Sequence, residues 1–194
     1  MARHYSPKPD RRGVRGLWLC LLLLLGVARA GEELPPVTIP PLDDLAATAA
    51  EATARRLPIV LFFAAEHCSY CEQVAEDFLK PMLRSGDYDE RMILRRVELD
   101  VEVPLRDLDG SEVTPAALAR RYRVFVTPTL VFIDGRGRQL APPLVGIASP
   151  DYYGADLDAA IERALVAVRR PPAAGQDGLS VPSGSGAPRP RDGG

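Results

Sequence analysis

The sequence predicts one α/β domain, and three features indicate this class. Helical and strand-like patterns alternate along residues 42–170. Two strand-like segments, Ile59 to Ala65 and Thr129 to Ile133, are almost continuously apolar, as in strands that helices cover on both faces. A turn signal, Asp134-Gly135, follows the second segment and indicates a hairpin. The domain therefore combines a strand–helix–strand unit with a hairpin and a final helix.

The first half of the domain is predicted to contain two helices and two strands. The Ala-rich segment from Leu42 to Arg56 is typical of a helix, and the strand Ile59 to Ala65 follows it. A second helix is expected from Ser69 to about Arg84, with an apolar stripe on one side. Pro81 lies inside this helix and predicts a kink, because proline lacks a backbone donor and crowds the preceding turn. Met92 to Val101 alternates in polarity as a strand does.

The second half begins with a short helix and ends with a longer one. Thr114 and Pro115 are typical of an N-cap and a first helical turn. After the apolar strand, Gln139 to Val145 is expected to return beside it, with Pro142-Pro143 marking an edge or a bulge. The last helix is predicted from an apolar stripe of Leu157, Ile161, Leu165 and Val168.

Residues 1–30 have the three-part layout of a secretory signal peptide. Basic residues precede an apolar run, Leu17 to Val27, and small residues follow at Ala28 and Ala30. An uncleaved membrane anchor is the alternative, but this run has 11 residues, whereas a spanning helix needs about 20. We therefore expect export by a cleavable signal, with anchoring by residues 17–27 as the weaker alternative.

Removal of this segment changes both the charge and the cysteine content. The full chain has 24 Lys+Arg and 26 Asp+Glu. The signal contains six of the basic residues and one acidic residue, so 18 and 25 remain and the net charge becomes −7. This charge argues against nucleic acid or an anionic membrane as a partner. Of the three cysteines, Cys20 is removed and only Cys68 and Cys71 remain.

Both flanks of the domain are expected to lack regular structure. Residues 31–41 are rich in proline and predict an extended lead-in. Residues 171–194 are rich in Pro, Gly and Ser, and their only large aliphatic residues are Leu179 and Val181. Such a segment cannot bury a core, so a disordered tail is predicted after a folded domain at 42–170.

The motif Cys68-Ser69-Tyr70-Cys71 admits three interpretations. A structural zinc site needs about four ligands, yet the chain after residue 30 offers one histidine, His67, and no further cysteine. A stabilising disulfide would enclose two residues and remove little entropy from the unfolded chain. A redox pair needs one cysteine at a helix N-terminus, where amide donors stabilise its thiolate, and a second one turn later. The motif follows a buried strand and opens a helix, which favours the redox pair.

This order of features resembles the thioredoxin-like superfamily over residues 42–168. The resemblance rests on CSYC after a buried strand, on the proline in the next helix, and on VTPTLVF, Val126 to Phe132. It implies a thioredoxin fold: a central mixed β-sheet flanked by helices, with CxxC at the N-terminus of a proline-kinked helix. Among exported members, the chain most resembles periplasmic thioredoxin-related proteins, including those associated with sulfur-oxidation systems. Val103 to Val124 resembles an insert that such proteins carry.

The resemblance implies roles for the motif residues. Cys68 would be the exposed nucleophile of a redox-active disulfide, and Cys71 would be the more buried resolving thiol. Pro128 would be cis and lie against the disulfide, and Thr127 would offer its backbone to an extended substrate peptide. An ordinary strand start is the alternative for Thr127-Pro128. Tyr70 would present an apolar surface to the substrate, with simple packing as its alternative.

The chain also departs from ordinary thioredoxins at several positions. Ser69-Tyr70 replaces Gly-Pro between the cysteines, and His67 replaces the preceding tryptophan. A protonated His67 would favour the Cys68 thiolate, and a solvated residue before the helix is the alternative. The family's buried aspartate, which helps proton transfer, falls at Phe62, so a thioredoxin-type proton path is in doubt. Four phenylalanines are expected in the core: Phe62, Phe63, Phe78 and Phe132.

These features predict a periplasmic thiol–disulfide oxidoreductase without a cofactor or metal. Its implied substrates are protein disulfides, and reducing them is favoured over making them. A reductant in an oxidising compartment must be recharged, so a membrane thiol–disulfide electron-transfer protein is the implied partner. Two alternatives stay open: a redox-inactive thioredoxin-fold binding or assembly module, and a copper(I) chaperone that uses both thiolates.

Overall fold

The computed structural model describes residues 36–147 and 149–170. The predicted signal peptide, the first part of the lead-in and the predicted tail lie outside these residues. Within the described ranges, no helix is long and apolar enough to cross a membrane.

The described residues contain six strands and five α-helices. The strands are β1 Ile59–Ala64, β2 Ile93–Glu98, β3 Leu105–Arg106, β4 Glu112–Val113, β5 Thr129–Ile133 and β6 Leu144–Val145. The helices are α1 Leu45–Arg55, α2 Ser69–Val74, α3 Lys80–Ser85, α4 Pro115–Arg121 and α5 Pro150–Arg169. A π-helical turn, Ala75–Leu79, joins α2 to α3.

Four strands form a mixed sheet in the order β2-β1-β5-β6. Strand β1 runs parallel to β2 and antiparallel to β5, and β5 is antiparallel to β6. The predicted central mixed sheet flanked by helices is therefore confirmed. Strand β6 is shorter than the predicted 139–145 segment, since Pro142-Pro143 has no amide donors for the ladder. The ribbon β3–β4, inside the predicted insert, was not predicted as strands.

Helices cover both faces of this sheet. One apolar cluster contains Phe62, Phe132 and Cys71 and includes side chains of α2, α3 and α5. The cluster on the other face contains Phe63 and includes side chains of α1 and α4. Every residue of β1 is buried. Three of the four predicted core phenylalanines are fully buried, and Phe78 is half-buried against Tyr153, with ring centroids 4.9 Å apart.

Helix α1 begins three residues later than predicted. The Asp44 side chain caps it and accepts a hydrogen bond from the Ala47 amide at 2.7 Å. The preceding residues instead pair with β2: the Leu42 amide donates to the Arg96 carbonyl, and the Arg96 amide donates to the Pro40 carbonyl, each at 2.8 Å. Part of the predicted lead-in thus lies along an exposed strand edge and protects it from other pairing.

The helix after the cysteines is irregular, as Pro81 predicts. Its extent from Ser69 to Ser85 agrees with the sequence pattern, but its middle is the π-helical turn. In that turn the Lys80 amide donates to the Ala75 carbonyl, five residues earlier. Pro81 follows immediately and has no amide to donate, so the wider turn lies where the regular helical ladder is interrupted.

An ion pair between the buried Asp107 and the exposed Arg121 fastens the β3–β4 ribbon to α4. Arg121 donates to both carboxylate oxygens of Asp107, with Nη1 2.8 Å from Oδ1, and the Leu108 amide donates to Oδ1 at 2.7 Å. These hydrogen bonds, that of Arg121 above all, hold the pKa of Asp107 below its ordinary value. Thr114 caps α4 as predicted, since its hydroxyl oxygen accepts from the Ala117 amide at 3.2 Å.

We expect Asp107→Asn to lower the free energy of unfolding by about 1–3 kcal/mol at pH 7, because a buried, charged hydrogen-bond acceptor is lost. Since folding lowers the Asp107 pKa, this stabilisation is complete above the ordinary value of 3.8 and is lost as the pH falls below it. Urea unfolding at pH 7 and pH 3 measures both effects. Asp156→Asn, at an exposed site on α5, is the control. If Asp107→Asn lowered the free energy of unfolding equally at pH 7 and pH 3, the charge of Asp107 would not be the source of the stabilisation.

Candidate active site

The cysteine pair lies at the junction of β1 and α2. Strand β1 ends at Ala64, and four residues later Cys68 is the N-cap of α2. The Cys71 amide donates to the Cys68 carbonyl at 2.9 Å and lies 3.2 Å from the Cys68 sulfur. A CxxC pair at the start of a helix is thereby confirmed. Amide donors at this position stabilise a thiolate.

The two sulfurs are joined as a disulfide and differ in exposure. The Cα atoms of Cys68 and Cys71 lie 5.2 Å apart. Cys68 is half-buried, whereas Cys71 is fully buried in the apolar cluster that contains Phe62. Substrate therefore has access to Cys68 but not to Cys71.

The Thr127–Pro128 segment lies against the exposed cysteine. Its peptide bond is cis, as the family resemblance implies. The Thr127 hydroxyl donates to the Cys68 sulfur across 3.6 Å. Two further hydrogen bonds position the segment: the Thr129 hydroxyl donates to the Val126 carbonyl at 2.8 Å, and the Gly146 amide donates to the Pro128 carbonyl at 2.7 Å.

Exposed apolar side chains occupy the motif and the segment before the cis bond. Tyr70 is 60% exposed, Phe125 81% and Val126 53%. Phe125 and Val126 also line a groove of about 310 Å³ that reaches Val145. Sequence analysis missed Phe125, because an apolar residue beside a buried strand resembles a core residue. Tyr70 does not pack in the core, and its contact with substrate stays a prediction.

His67 lies in solvent at the turn before α2. Its side chain is 90% exposed, and its Nε2 atom is 3.7 Å from the Glu66 carboxylate. Its backbone is left-handed, with φ of 58°. This environment matches the solvated alternative from the sequence, and an influence of His67 on Cys68 stays a prediction.

A charged cluster lies over Phe62, on the face of the sheet whose apolar cluster contains Cys71. The Arg96 guanidinium carbon is 5.4 Å from the centre of the Phe62 ring. Arg96 donates to Glu98 at 2.7 Å and to Glu72, the residue after Cys71, at 3.3 Å. Sequence analysis missed this cluster, and the only signal was the charged residues within the β2 pattern. Among the described residues, no group of three or more His, Cys, Asp or Glu side chains is arranged to hold a metal ion.

A comparison with models of known protein families identifies the domain that contains the cysteine pair. The family model described as "Thioredoxin-like domain" matches residues 45–161. The chain belongs to the thioredoxin-like domain family. Members of this family act on protein disulfides, and the disulfide-bonded CxxC pair supports thiol–disulfide oxidoreductase activity for this thioredoxin-like protein.

Solved structures with related folds are distant in sequence. "DsbH Oxidoreductase" is 19% identical with a TM-score of 0.49, over 69% of this chain and 95% of that one. Thioredoxin O2 from Arabidopsis thaliana is 20% identical with a TM-score of 0.43, over 64% and 91%. The periplasmic thioredoxin SoxS from Paracoccus pantotrophus is 18% identical with a TM-score of 0.38, over 55% and 98%. No curated protein matches the sequence significantly.

The unequal burial of the two cysteines predicts unequal thiol reactivity. In the reduced protein, iodoacetamide should modify Cys68 about tenfold faster than Cys71 or more, because only an accessible thiolate reacts. Single variants give the two rates separately: Cys71→Ser reports on Cys68, and Cys68→Ser reports on Cys71. The same variants in guanidinium chloride are the control and should react at similar rates. Equal rates of modification of Cys68 and Cys71 in the folded variants would contradict the unequal burial of the two thiols.

Proposed function

We propose that this protein is a periplasmic thiol–disulfide oxidoreductase that reduces protein disulfides. The observation that carries the proposal is the disulfide pair at the start of α2, with Cys68 accessible, Cys71 buried and Thr127 on the Cys68 sulfur. Cys68 is the nucleophile and Cys71 is the resolving thiol.

The proposed reaction has two exchange steps. The Cys68 thiolate attacks one sulfur of the substrate disulfide, and the other substrate sulfur leaves and takes up a proton. Cys71 then loses its proton and attacks the Cys68 sulfur, which releases the second substrate thiol. Two electrons pass to the substrate, and the Cys68–Cys71 disulfide forms. Burial of Cys71 favours this internal attack, because a second substrate cannot reach its sulfur.

The substrate segment is proposed to bind beside the cis bond. Thr127 and Pro128 line the side of Cys68, and an extended peptide there would pair with the Thr127 backbone as an added strand. Tyr70 and the neighbouring Phe125 would contact apolar side chains of this peptide, since both are largely exposed. In this proposal a protonated His67 favours the Cys68 thiolate. Because the His67 side chain lies in solvent, its effect on the Cys68 pKa is small.

The compartment and the direction of electron flow are part of the proposal. The layout of residues 1–30 supports export, which would place the cysteine pair in an oxidising compartment. There the oxidised protein needs recharging by a membrane thiol–disulfide electron-transfer protein. The division into a signal, a lead-in at 31–41, a domain at 42–170 and a disordered tail at 171–194 stays a prediction. So does an association with sulfur oxidation.

Cys68→Ser should abolish disulfide reduction, with a loss of about 100-fold or more, because no other accessible thiolate is present in the domain. Insulin reduction with dithiothreitol as electron donor measures it. Ser69→Ala, inside the same motif, is the matched control and should retain activity. Loss of disulfide reduction in Cys68→Ser, with peptide binding retained, supports an enzyme. Equal activity of Cys68→Ser and the wild type would favour a binding or assembly module instead.

The reduction potential should lie near −250 mV or below, as expected for a reductant. Equilibration of residues 31–194 with glutathione buffers, followed by thiol alkylation, measures it. A value near −120 mV would indicate an oxidant and contradict the proposed direction. Tight copper(I) binding in an anaerobic titration would instead favour the copper chaperone.

A further inference from the structure

The resolving step poses a problem of proton transfer at Cys71. A thiol must lose its proton before it attacks a disulfide. Cys71 is fully buried among apolar side chains that include Phe62 and Ala64 of β1. Apolar surroundings raise the pKa of a thiol and slow its ionisation. If the proposed function holds, a proton acceptor must therefore serve the buried side of the disulfide.

Strand register brings one carboxylate to this face of the sheet. In the parallel pairing of β1 with β2, Arg96 is the partner of Phe62, and Glu98 is the partner of Ala64. Laterally paired residues of neighbouring strands point to the same face, and successive residues along a strand point to opposite faces. Val97, between them, accordingly belongs to the cluster on the opposite face. Glu98 therefore lies on the face that contains Cys71, beside the small side chain of Ala64.

One oxygen of the Glu98 carboxylate is held and the other is free to accept a proton. Oε2 accepts a hydrogen bond from Arg96 Nε at 2.7 Å. Oε1 is buried and has no hydrogen-bond partner among the described residues. Buried polar atoms are nearly always paired, because an unpaired one costs about 1–3 kcal/mol. Stability alone does not explain an unpaired acceptor on the face of the sheet that contains Cys71.

Arg96 connects this carboxylate to the helix that carries Cys71. Its guanidinium lies over Phe62 and also donates to Glu72 at 3.3 Å. The other carboxylates near Glu98 are Asp43, on the same groove before α1, and Asp100, which accepts from the Glu66 amide. Arg96 is thus the cation that faces Glu98, and its hydrogen bond orients the carboxylate.

We propose that Glu98 accepts the proton of Cys71 in the resolving step. The Cys71 S–H bond breaks as its proton passes to Glu98 Oε1, and the Cys71 thiolate forms a bond to the Cys68 sulfur. The bond between Cys68 and the substrate sulfur breaks, and the departing thiolate takes up a proton. Glu98 returns its proton to solvent, so the carboxylate is unchanged over the cycle and gains no electrons.

The test isolates the resolving step in the reduced protein. Methyl methanethiosulfonate at pH 4 places a methyl disulfide on Cys68 while Cys71 stays protonated. A jump to pH 5–10, with acid quenching and mass spectrometry, then gives the rate of methanethiol release. Glu98→Gln keeps an oxygen acceptor for Arg96 but loses the proton acceptor. At pH 7 its rate of methanethiol release should be lower than that of the wild type by about tenfold or more, since general bases typically contribute about 10²–10⁴-fold.

The shape of the pH profile separates proton transfer from structure. The rate of methanethiol release from Glu98→Gln should approach the wild-type rate at high pH, where hydroxide ionises Cys71 directly. Glu102→Gln, at an exposed site in the following loop, is the matched control and should follow the wild type. A Glu98→Gln profile equal to wild type, or a deficit that is the same at every pH, would overturn the proposal.

The wild type alone also tests the proposal if Glu98→Gln fails to fold, as circular dichroism would report. Its rate of methanethiol release should reach a plateau through neutral pH, because Glu98 then takes the proton and the rate no longer depends on the hydroxide concentration. A single rise centred at or above the ordinary thiol pKa of about 8.5 would overturn the role of Glu98. Absence of methanethiol release even at pH 10 would mean that the dithiol mechanism itself fails.

Discussion

The burial of strand β1 on both faces is the constraint on which the active site depends. All six of its residues are buried, so the strand can neither shift its register nor turn over without exposing apolar surface. The C-terminal end of β1 is therefore fixed in the sheet. The short turn after Ala64 then places Cys68 at the start of α2. The location of the disulfide thus follows from core packing rather than from the cysteines themselves.

Strand directions bring the other site residues to the same end of β1. Because β5 is antiparallel to β1, its first residue, Thr129, pairs with Phe63, and the cis segment before it meets Cys68. Because β2 is parallel to β1, its last residue, Glu98, pairs with Ala64. Strand β5 thus brings Thr127 to Cys68, and β2 brings Glu98 to the face of the sheet that contains Cys71.

Elements outside the central strands support this arrangement. The segment at 40–42 pairs with β2 and steadies the strand that carries Arg96 and Glu98. The Asp107–Arg121 ion pair fastens the ribbon to α4, and this helix leads directly into the segment that ends at Pro128. Contacts far from the sulfurs thereby limit the movement of the residues that contact them.

The sequence by itself determined the local elements and the chemistry of the cysteine pair. The bounds of β5, the Thr114 cap and the helix start at Ser69 follow from short-range patterns of polarity, proline and capping residues. Only the tertiary structure decided which face of the sheet Glu98 occupies, that Phe125 is exposed, and that residues 40–42 pair with β2. These features depend on register and packing between segments distant in sequence, and a local pattern contains no information about such pairing.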